Sequence, residues 1–313
     1  MAPRYRALLA LLLASSGCGR SHSSAQPAAS ATAPVASTVA PAASGVASAR
    51  PPAGSQPPLQ AELHLPPLQP GQAAPLLVML HGLGSSAEQI EASSDWLMFA
   101  EQRGIAWLAP NGPLDRHGRR FWDAGPSCCN FDHLDVDHVS ALADLIERAR
   151  SHAGVDRERV FVGGHSNGAF MAHRLACERP DLVRGIVGIA GSAPLDRAAC
   201  RTPSALRVLQ IQGDADPIVT FAGGHLFRDP SLPRHLSAEE TARGWARALG
   251  CHEPARTLAP RDLELGLPGA ETGVQSYGDC RFGKVELWTV HGGSHYIGFR
   301  APAPAAVWGF LSD

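Results

Sequence analysis

The chain has 313 residues, with 27 Lys and Arg against 29 Asp and Glu and a formal net charge of −2. That balance supplies no basic face to neutralise phosphates, which excludes a nucleic-acid binder. The longest apolar run, Ala7 to Ala14, is far short of the roughly 20 residues that cross a bilayer, so a multi-pass membrane protein is excluded too.

Residues 1–17 read as a targeting signal: Arg4 and Arg6, the run Ala7 to Ala14, then Ser15-Ser16-Gly17 before Cys18. Small residues ahead of a Cys resemble a bacterial lipoprotein signal, in which Cys18 takes the lipid and becomes the new N-terminus. Ser15 stands where such signals usually carry Leu, and an ordinary secretory signal is the alternative. Residues 18–58 are dominated by Ala, Ser and Pro, with no aromatic side chain. They cannot bury enough apolar surface to offset ordering entropy and are expected to form a disordered tether. The folded unit is then 59–313, one domain, exported either as a cell-envelope lipoprotein or as an extracellular protein. Its only link to a membrane is the N-terminal lipid.

Export changes the meaning of the seven cysteines. Without Cys18 an even number remains, and an oxidising compartment favours disulfides over a metal or redox site. Cys251, after a helix, and Cys280, before a strand, are expected partners. Adjacent Cys128 and Cys129 are expected to reach separately to Cys177 and Cys200 rather than to each other.

Along the folded unit, apolar runs bounded by turn residues alternate with helical patterns. Strands are predicted at 76–80, 105–109, 160–162, 186–189, 208–211 and 285–290. Helices are predicted at 139–150, 168–178 and 238–249, the last opened by a Ser237/Glu240 capping box and closed by Gly250. Strands that are apolar throughout and separated by helices imply an α/β fold, a mostly parallel sheet with helices on both faces.

The most informative segment is Arg159-Val160-Phe161-Val162-Gly163-Gly164-His165-Ser166-Asn167-Gly168, a strand, then G-x-S-x-G, then a helix. A sharp strand-to-helix turn of this kind exposes the Ser hydroxyl above the sheet, and the N–H of Asn167 lies at a helix N-terminus that favours negative charge. A serine nucleophile needs a base and the base an orienting acid, which in α/β-hydrolases follow in the order Ser, Asp, His. After the 208–211 strand comes Gly213-Asp214-Ala215-Asp216, and after the 285–290 strand comes His291-Gly292-Gly293-Ser294-His295-Tyr296. Asp216 is preferred to Asp214, which is expected to satisfy its own turn. His295 is preferred to His291, since Gly292-Gly293 let the loop return an imidazole to Ser166. The second oxyanion donor is expected from His81-Gly82-Leu83-Gly84-Ser85, at the N–H of Leu83. His165, inside the turn, is expected to pack behind the nucleophile.

Phe121-Trp122-Asp123-Ala124-Gly125, Cys128-Cys129, Val136-Asp137, the stretch 164–191, 213–219 and 292–295 together resemble one family. It is the secreted polyhydroxybutyrate depolymerase and feruloyl/acetylxylan esterase group of α/β-hydrolases, and the likeness runs from about Leu76 to Phe310. The resemblance implies an α/β-hydrolase fold, a Ser166, Asp216, His295 triad and ester hydrolysis outside the cell, on polymeric or oligomeric esters. The family usually follows its catalytic His with Trp-Pro, whereas Tyr296-Ile297 stand here.

Two side chains are candidates for the substrate cleft, Tyr296 and Trp122, although packing the core fits Trp122 equally well. Asp132, His133, Asp135, Asp137 and His138 are rich in donors, but close loop positions seldom converge on a metal, and Asp137 suits a helix N-cap. Neither metal nor cofactor is expected. The connection 191–206 is too short for a large lid. The triad does not itself choose among acceptors, so a serine peptidase or acyltransferase is the alternative enzyme. A lipid-anchored binding protein with an idle hydrolase domain is the alternative from another class.

Overall fold

The computed structural model describes residues 36–38 and 57–313, except 94 and 202–204. The chain divides into Met1–Ala33 and Pro34–Asp313; Cys18 and the signal lie outside the described residues, and all the described residues belong to the second unit.

Its elements in chain order are β1 (Ala36–Thr38), β2 (Glu62–His64), β3 (Ala74–Leu80), α1 (Ala87–Ser93), α2 (Trp96–Gln102), β4 (Ala106–Leu108) and α3 (His138–Arg150). There follow β5 (Val155–His165), α4 (Asn167–Glu178), β6 (Gly185–Ile189), β7 (Leu206–Gly213), β8 (Gly224–His225) and β9 (Arg234–His235). The last are α5 (Ala238–Ala248), β10 (Arg256–Arg261), β11 (Thr272–Tyr277), β12 (Gly283–Val290) and α6 (Pro302–Ser312). One sheet runs in the order β1-β2-β4-β3-β5-β6-β7-β12-β11-β10. The strands from β4 through β12 in that order are parallel, and antiparallel strands close both edges. Every expected strand and helix is present, and the fold is the expected α/β one.

The apolar strands are explained by burial on both faces. Along β3, Leu76, Val78 and Leu80 join one core with α3, α4 and α5, while Leu77 and Met79 join a second with α2 and α6. With apolar layers on both faces, the strand ends are left for the loops that carry Ser166, Asp216 and His295. Asp137 caps α3 by accepting from the Ser140 N–H at 3.0 Å. Ser237 and Glu240 form the reciprocal box at the start of α5. Within the stretch expected to be a tether, β1 runs antiparallel to β2.

The disulfides are Cys251–Cys280, as expected, then Cys177–Cys200 and Cys128–Cys129. The last two correct the expectation that Cys128 and Cys129 reach separately to Cys177 and Cys200. Cys128 Sγ lies 3.6 Å from the Asn167 amide at the first residue of α4, whereas Cys177 is in that helix's last turn. Ten helical residues separate those ends by about 15 Å, more than twice the Cα separation a disulfide spans. Cys177 instead finds Cys200 across the short connection after β6. Replacing both Cys177 and Cys200 by Ser is expected to lower stability by about 3 kcal/mol, read as a reduced midpoint in urea.

Candidate active site

Three strand ends converge on one spot. β5 delivers His165 and then Ser166, which sits at φ 53° and ψ −122° as the residue before α4. Few non-glycine residues adopt such a conformation, and it persists only where the surroundings hold it. Here the Ser166 N–H donates to the Ile189 carbonyl at 2.8 Å, and the Ser166 carbonyl accepts from Ala169 and Phe170. The turn also demands close approach. A Cβ on Gly168 would meet the Leu80 carbonyl, and one on Gly164 would meet the Gly168 backbone, both well inside van der Waals contact. The G-x-S-x-G spacing thus has a steric cause in this chain.

The loop after β7 brings Asp216 and the loop after β12 brings His295, both almost fully buried. His295 Nδ1 lies 2.8 Å from Asp216 Oδ2, and its Nε2 lies 3.0 Å from Ser166 Oγ. Since an ionised carboxylate can only accept, the imidazole proton is assigned to Nδ1, leaving the Nε2 lone pair for the serine hydroxyl. Asp216 Oδ1 accepts from the N–H groups of Ile218 at 2.7 Å and Val219 at 2.9 Å, and Oδ2 accepts a further bond from Gln212 Nε2 at 2.9 Å. Asp214 is occupied elsewhere: it pairs with His291 Nδ1 at 2.9 Å and the Gly292 N–H at 2.7 Å, tying the two loops together at the surface. The two Asp/His pairs are sorted by burial, one beside Ser166 and one in solvent.

His165 packs beside His295, ring centroids 4.9 Å apart, and its Nε2 donates to the His295 carbonyl at 2.9 Å. Burial, reinforced by the neighbouring His295, pushes its pKa down to about 4. Lowered basicity and an Nε2–H committed to the His295 carbonyl make it a poor proton acceptor, in keeping with the packing role expected for it.

On the oxyanion side, the Gly84 N–H is taken by the Arg120 carbonyl and the Ser85 N–H by the Gly82 carbonyl. Among the described residues no protein acceptor takes the N–H of Leu83 or of Asn167. Gly82 bridges loop and elbow, since a Cβ there would stand 3.4 Å from both Ser166 Cβ and His165 Nδ1. Sequence reasoning missed what holds this loop. His81, fully buried, donates from Nδ1 to the Gly82 carbonyl at 2.8 Å and accepts the Gly112 N–H on Nε2 at 2.9 Å. Burial lowers its pKa to about 4.

Trp122 is fully buried, which removes it from the cleft candidates. Its indole N–H donates to the His81 carbonyl at 3.0 Å, and its backbone is gripped by the Asn167 side chain. The Trp122 N–H donates to Asn167 Oδ1 at 2.7 Å, and Asn167 Nδ2 donates back to the Trp122 carbonyl at 2.8 Å. An indole offering one donor to one buried carbonyl is satisfied in the core. The Asn167 amide thereby locks the segment whose indole supports the His81–Gly82 loop. Tyr296 remains at the surface, 76% exposed, over His165 at 5.2 Å.

Of two cavities in this part of the chain, only the first is lined by residues of the elbow and the Gly82 loop. The first, about 370 Å³, is lined by Gly82, Ile90, Trp96, His165, Tyr296 and Phe299. The other, about 700 Å³, is lined by Asp123, Cys128, Cys129, Phe131, Leu232 and Pro233. The acidic and histidine cluster is engaged locally. Asp132 accepts from the Arg116 N–H, Asp137 caps α3, and His138 Nδ1 accepts the Asp123 N–H at 2.7 Å. Among the described residues no group of three or more His, Cys, Asp or Glu could hold a metal ion, and no helix is long and apolar enough to cross a membrane.

Residues 69–231 match the phospholipase/carboxylesterase family. NocK of Nocardia uniformis subsp. tsuyamanensis, which carries an esterase name, is 33% identical over 74% of this chain and 69% of its own length. Feruloyl esterase B of Piromyces equi is 28% identical over 72% of this chain, which spans 40% of that enzyme. The acetyl xylan esterase of Aspergillus awamori superposes with a TM-score of 0.56 at 16% identity, covering 80% of this chain and 94% of its own, and so shares the fold. The resemblance to the esterase group read from the motifs is borne out.

Proposed function

Because the chain belongs to the phospholipase/carboxylesterase family of α/β-hydrolases, we propose that it is a serine esterase whose catalytic triad is Ser166, His295 and Asp216. The observation that carries this reading is the unbroken line from Ser166 Oγ through His295 to Asp216, at 3.0 and 2.8 Å, on a strained elbow. Neutral His295 accepts the Ser166 proton as Oγ attacks an ester carbonyl, and the N–H groups of Leu83 and Asn167 hold the oxyanion. Asp216 balances the imidazolium, which then protonates the departing alkoxide. Water, activated by the same imidazole, releases the acid and restores Ser166.

The relatives named as feruloyl esterase and acetyl xylan esterase support acyl or feruloyl esters on polysaccharide as substrates, with short hydroxyalkanoate oligomers as the other class. The aromatic and aliphatic wall of the cavity beside Gly82 suits the apolar part of such an ester. The leader-like residues 1–17 and three disulfides support export, with Cys18 as the lipid site and 18–58 as tether.

A fluorophosphonate probe is expected to label the purified protein on the Ser166 peptide, as read by mass spectrometry. A panel of p-nitrophenyl acetate, methyl ferulate, acetylated xylo-oligosaccharides, 3-hydroxybutyrate oligomers and an aminoacyl amide is expected to show turnover confined to esters. An unlabelled Ser166 overturns the triad, and preference for the amide overturns the esterase.

A further inference from the structure

A line of five polar side chains, each no more than 1% exposed, runs beneath the candidate site: Trp245, His173, Gln210, Gln212 and Asp216. Successive bonds are 3.0 Å from Trp245 Nε1 to His173 Nδ1, 2.9 Å from His173 Nε2 to Gln210 Oε1, and 3.3 Å from Gln210 Nε2 to Gln212 Oε1. The last, from Gln212 Nε2, reaches Asp216 Oδ2 at 2.9 Å.

The line has one possible direction. An indole N–H can only donate, so His173 Nδ1 is bare and its proton sits on Nε2. Gln210 must then turn its oxygen to His173. Its amide nitrogen is left to serve the Gly191 carbonyl at 2.9 Å and the oxygen of Gln212. Gln212 in turn presents its nitrogen to Asp216 and to the Val219 carbonyl at 2.8 Å. Reversing either amide would set oxygen against oxygen in a dry interior, where unpaired acceptors are costly. His173 stays neutral, its pKa lowered to about 4 by burial. Room for its ring is made by Gly188 on β6, where any Cβ would collide with His173 Nε2. Arg197 closes the far end, stacked 4.3 Å over the Trp245 ring.

We propose that Gln212, Gln210, His173 and Trp245 are positioning residues for Asp216, a one-way hydrogen-bond chain delivering an amide N–H to the same carboxylate oxygen that receives His295. The bond from Gln212 fixes the carboxylate's rotation and spreads its charge, so that Asp216 holds the imidazole in place without over-stabilising its protonated form. The other titratable groups around this pair are Ser166 and His165 from β5 and its elbow, Tyr296 beside His295, and His235 on β9, whose charge interactions are with Asp216 and with His225 on β8. Arg197 is the charged group facing His173. None of them donates a hydrogen bond to Asp216 Oδ2 except through His295.

The proposal rests on the triad reading, and two readouts separate their failures. In the full-length protein, Gln212→Met keeps the volume and removes the donor. With an ester substrate it is expected to lower kcat about tenfold at nearly constant KM. The acid limb of kcat/KM moves to higher pH, because the less-shared carboxylate charge favours the imidazolium. An NMR titration of the His295 ring is expected to move in the same direction without any substrate. Trp245→Phe keeps the ring under Arg197 and removes only the N–H, with an expected loss of about threefold in kcat. It carries the test should Gln212→Met fail to fold. Absence of ester turnover in the parent protein would sink the triad, and the NMR titration would still decide the chain. A Gln212→Met titration superimposable on the parent's overturns the chain. An unchanged pH profile and kcat in Trp245→Phe, with only a lower Tm, makes the far end structural and overturns its reach.

Discussion

Ser166→Ala and His295→Ala are each expected to lower kcat for an ester by about 10⁶, and the double variant to be no worse than either, because the two groups act as a unit. Asp216→Asn is expected to lower kcat by about 10⁴. The reason for that separate loss is local. Asp216 receives four donors on two oxygens: Ile218 and Val219 on Oδ1, and Gln212 and His295 on Oδ2. An amide has one oxygen. If that oxygen faces His295 and Gln212, its NH₂ confronts the two backbone N–H groups, and the opposite flip confronts the imidazole N–H and the Gln212 amide. Two donors lose their acceptor either way, and no negative charge remains to balance the imidazolium. Asp216→Asn should therefore lose a few degrees of Tm as well as turnover, whereas Ser166→Ala, which keeps the Cβ and every backbone bond of the elbow, should leave Tm nearly unchanged. Steady-state kinetics with p-nitrophenyl butyrate beside thermal melts read both quantities. Retention of more than about 1% of turnover in Ser166→Ala would sink the mechanism, since oxyanion and binding contributions alone leave far less.

The parts legible in the sequence share a feature. Each is local or sits where an element ends. The strand through Val160 to Val162, the Ser166 elbow and the Asp216 and His295 loops could be found because turn residues and apolar runs mark them. The capping box at Ser237 and Glu240 is likewise a pattern of near neighbours. What escaped is non-local. Whether Trp122 faces a cleft or the core depends on Asn167 and His81, far away in sequence. Cys128 and Cys129 pair with each other because the length of α4 keeps Cys177 out of reach, a distance that appears only once the helix is placed. The edge strand β10 is exposed along all but its last residue, Arg261, and carries no apolar alternation to announce it. α6, absent from the predicted elements, opens on Pro302 with Pro304 in its first turn, at a helix start where a missing N–H costs nothing. Gln210 and Gln212 lie inside the predicted strand and the turn that follows it, and no pattern distinguishes a buried glutamine that completes a network from one that faces solvent.

Acid should unfold this protein well before its carboxylates titrate. Four imidazoles, those of His81, His138, His165 and His173, are pushed down to about 4, in each case chiefly by burial. In the unfolded chain each returns to about 6.5. Between those values the unfolded state binds more protons than the native one, so stability rises with pH and falls as pH drops. Their contribution is complete above about 6.5 and gone below about 4. At 1.36 kcal/mol per pH unit the loss is on the order of 3 kcal/mol per imidazole, and four together rival the 5–15 kcal/mol of a typical domain. Urea titrations across pH 4.5–6.5 are expected to show unfolding coupled to uptake of three to four protons near pH 5, a slope of about 5 kcal/mol per pH unit. Uptake of one proton or fewer in that window overturns the expectation. These four groups also hold the site: His81 the oxyanion loop, His138 the Asp123 backbone, His165 the elbow, His173 the chain beneath Asp216. Activity should consequently disappear in acid in two separable ways, a shallow one-proton limb from the base and a steep multi-proton collapse that coincides with the loss of near-UV circular dichroism.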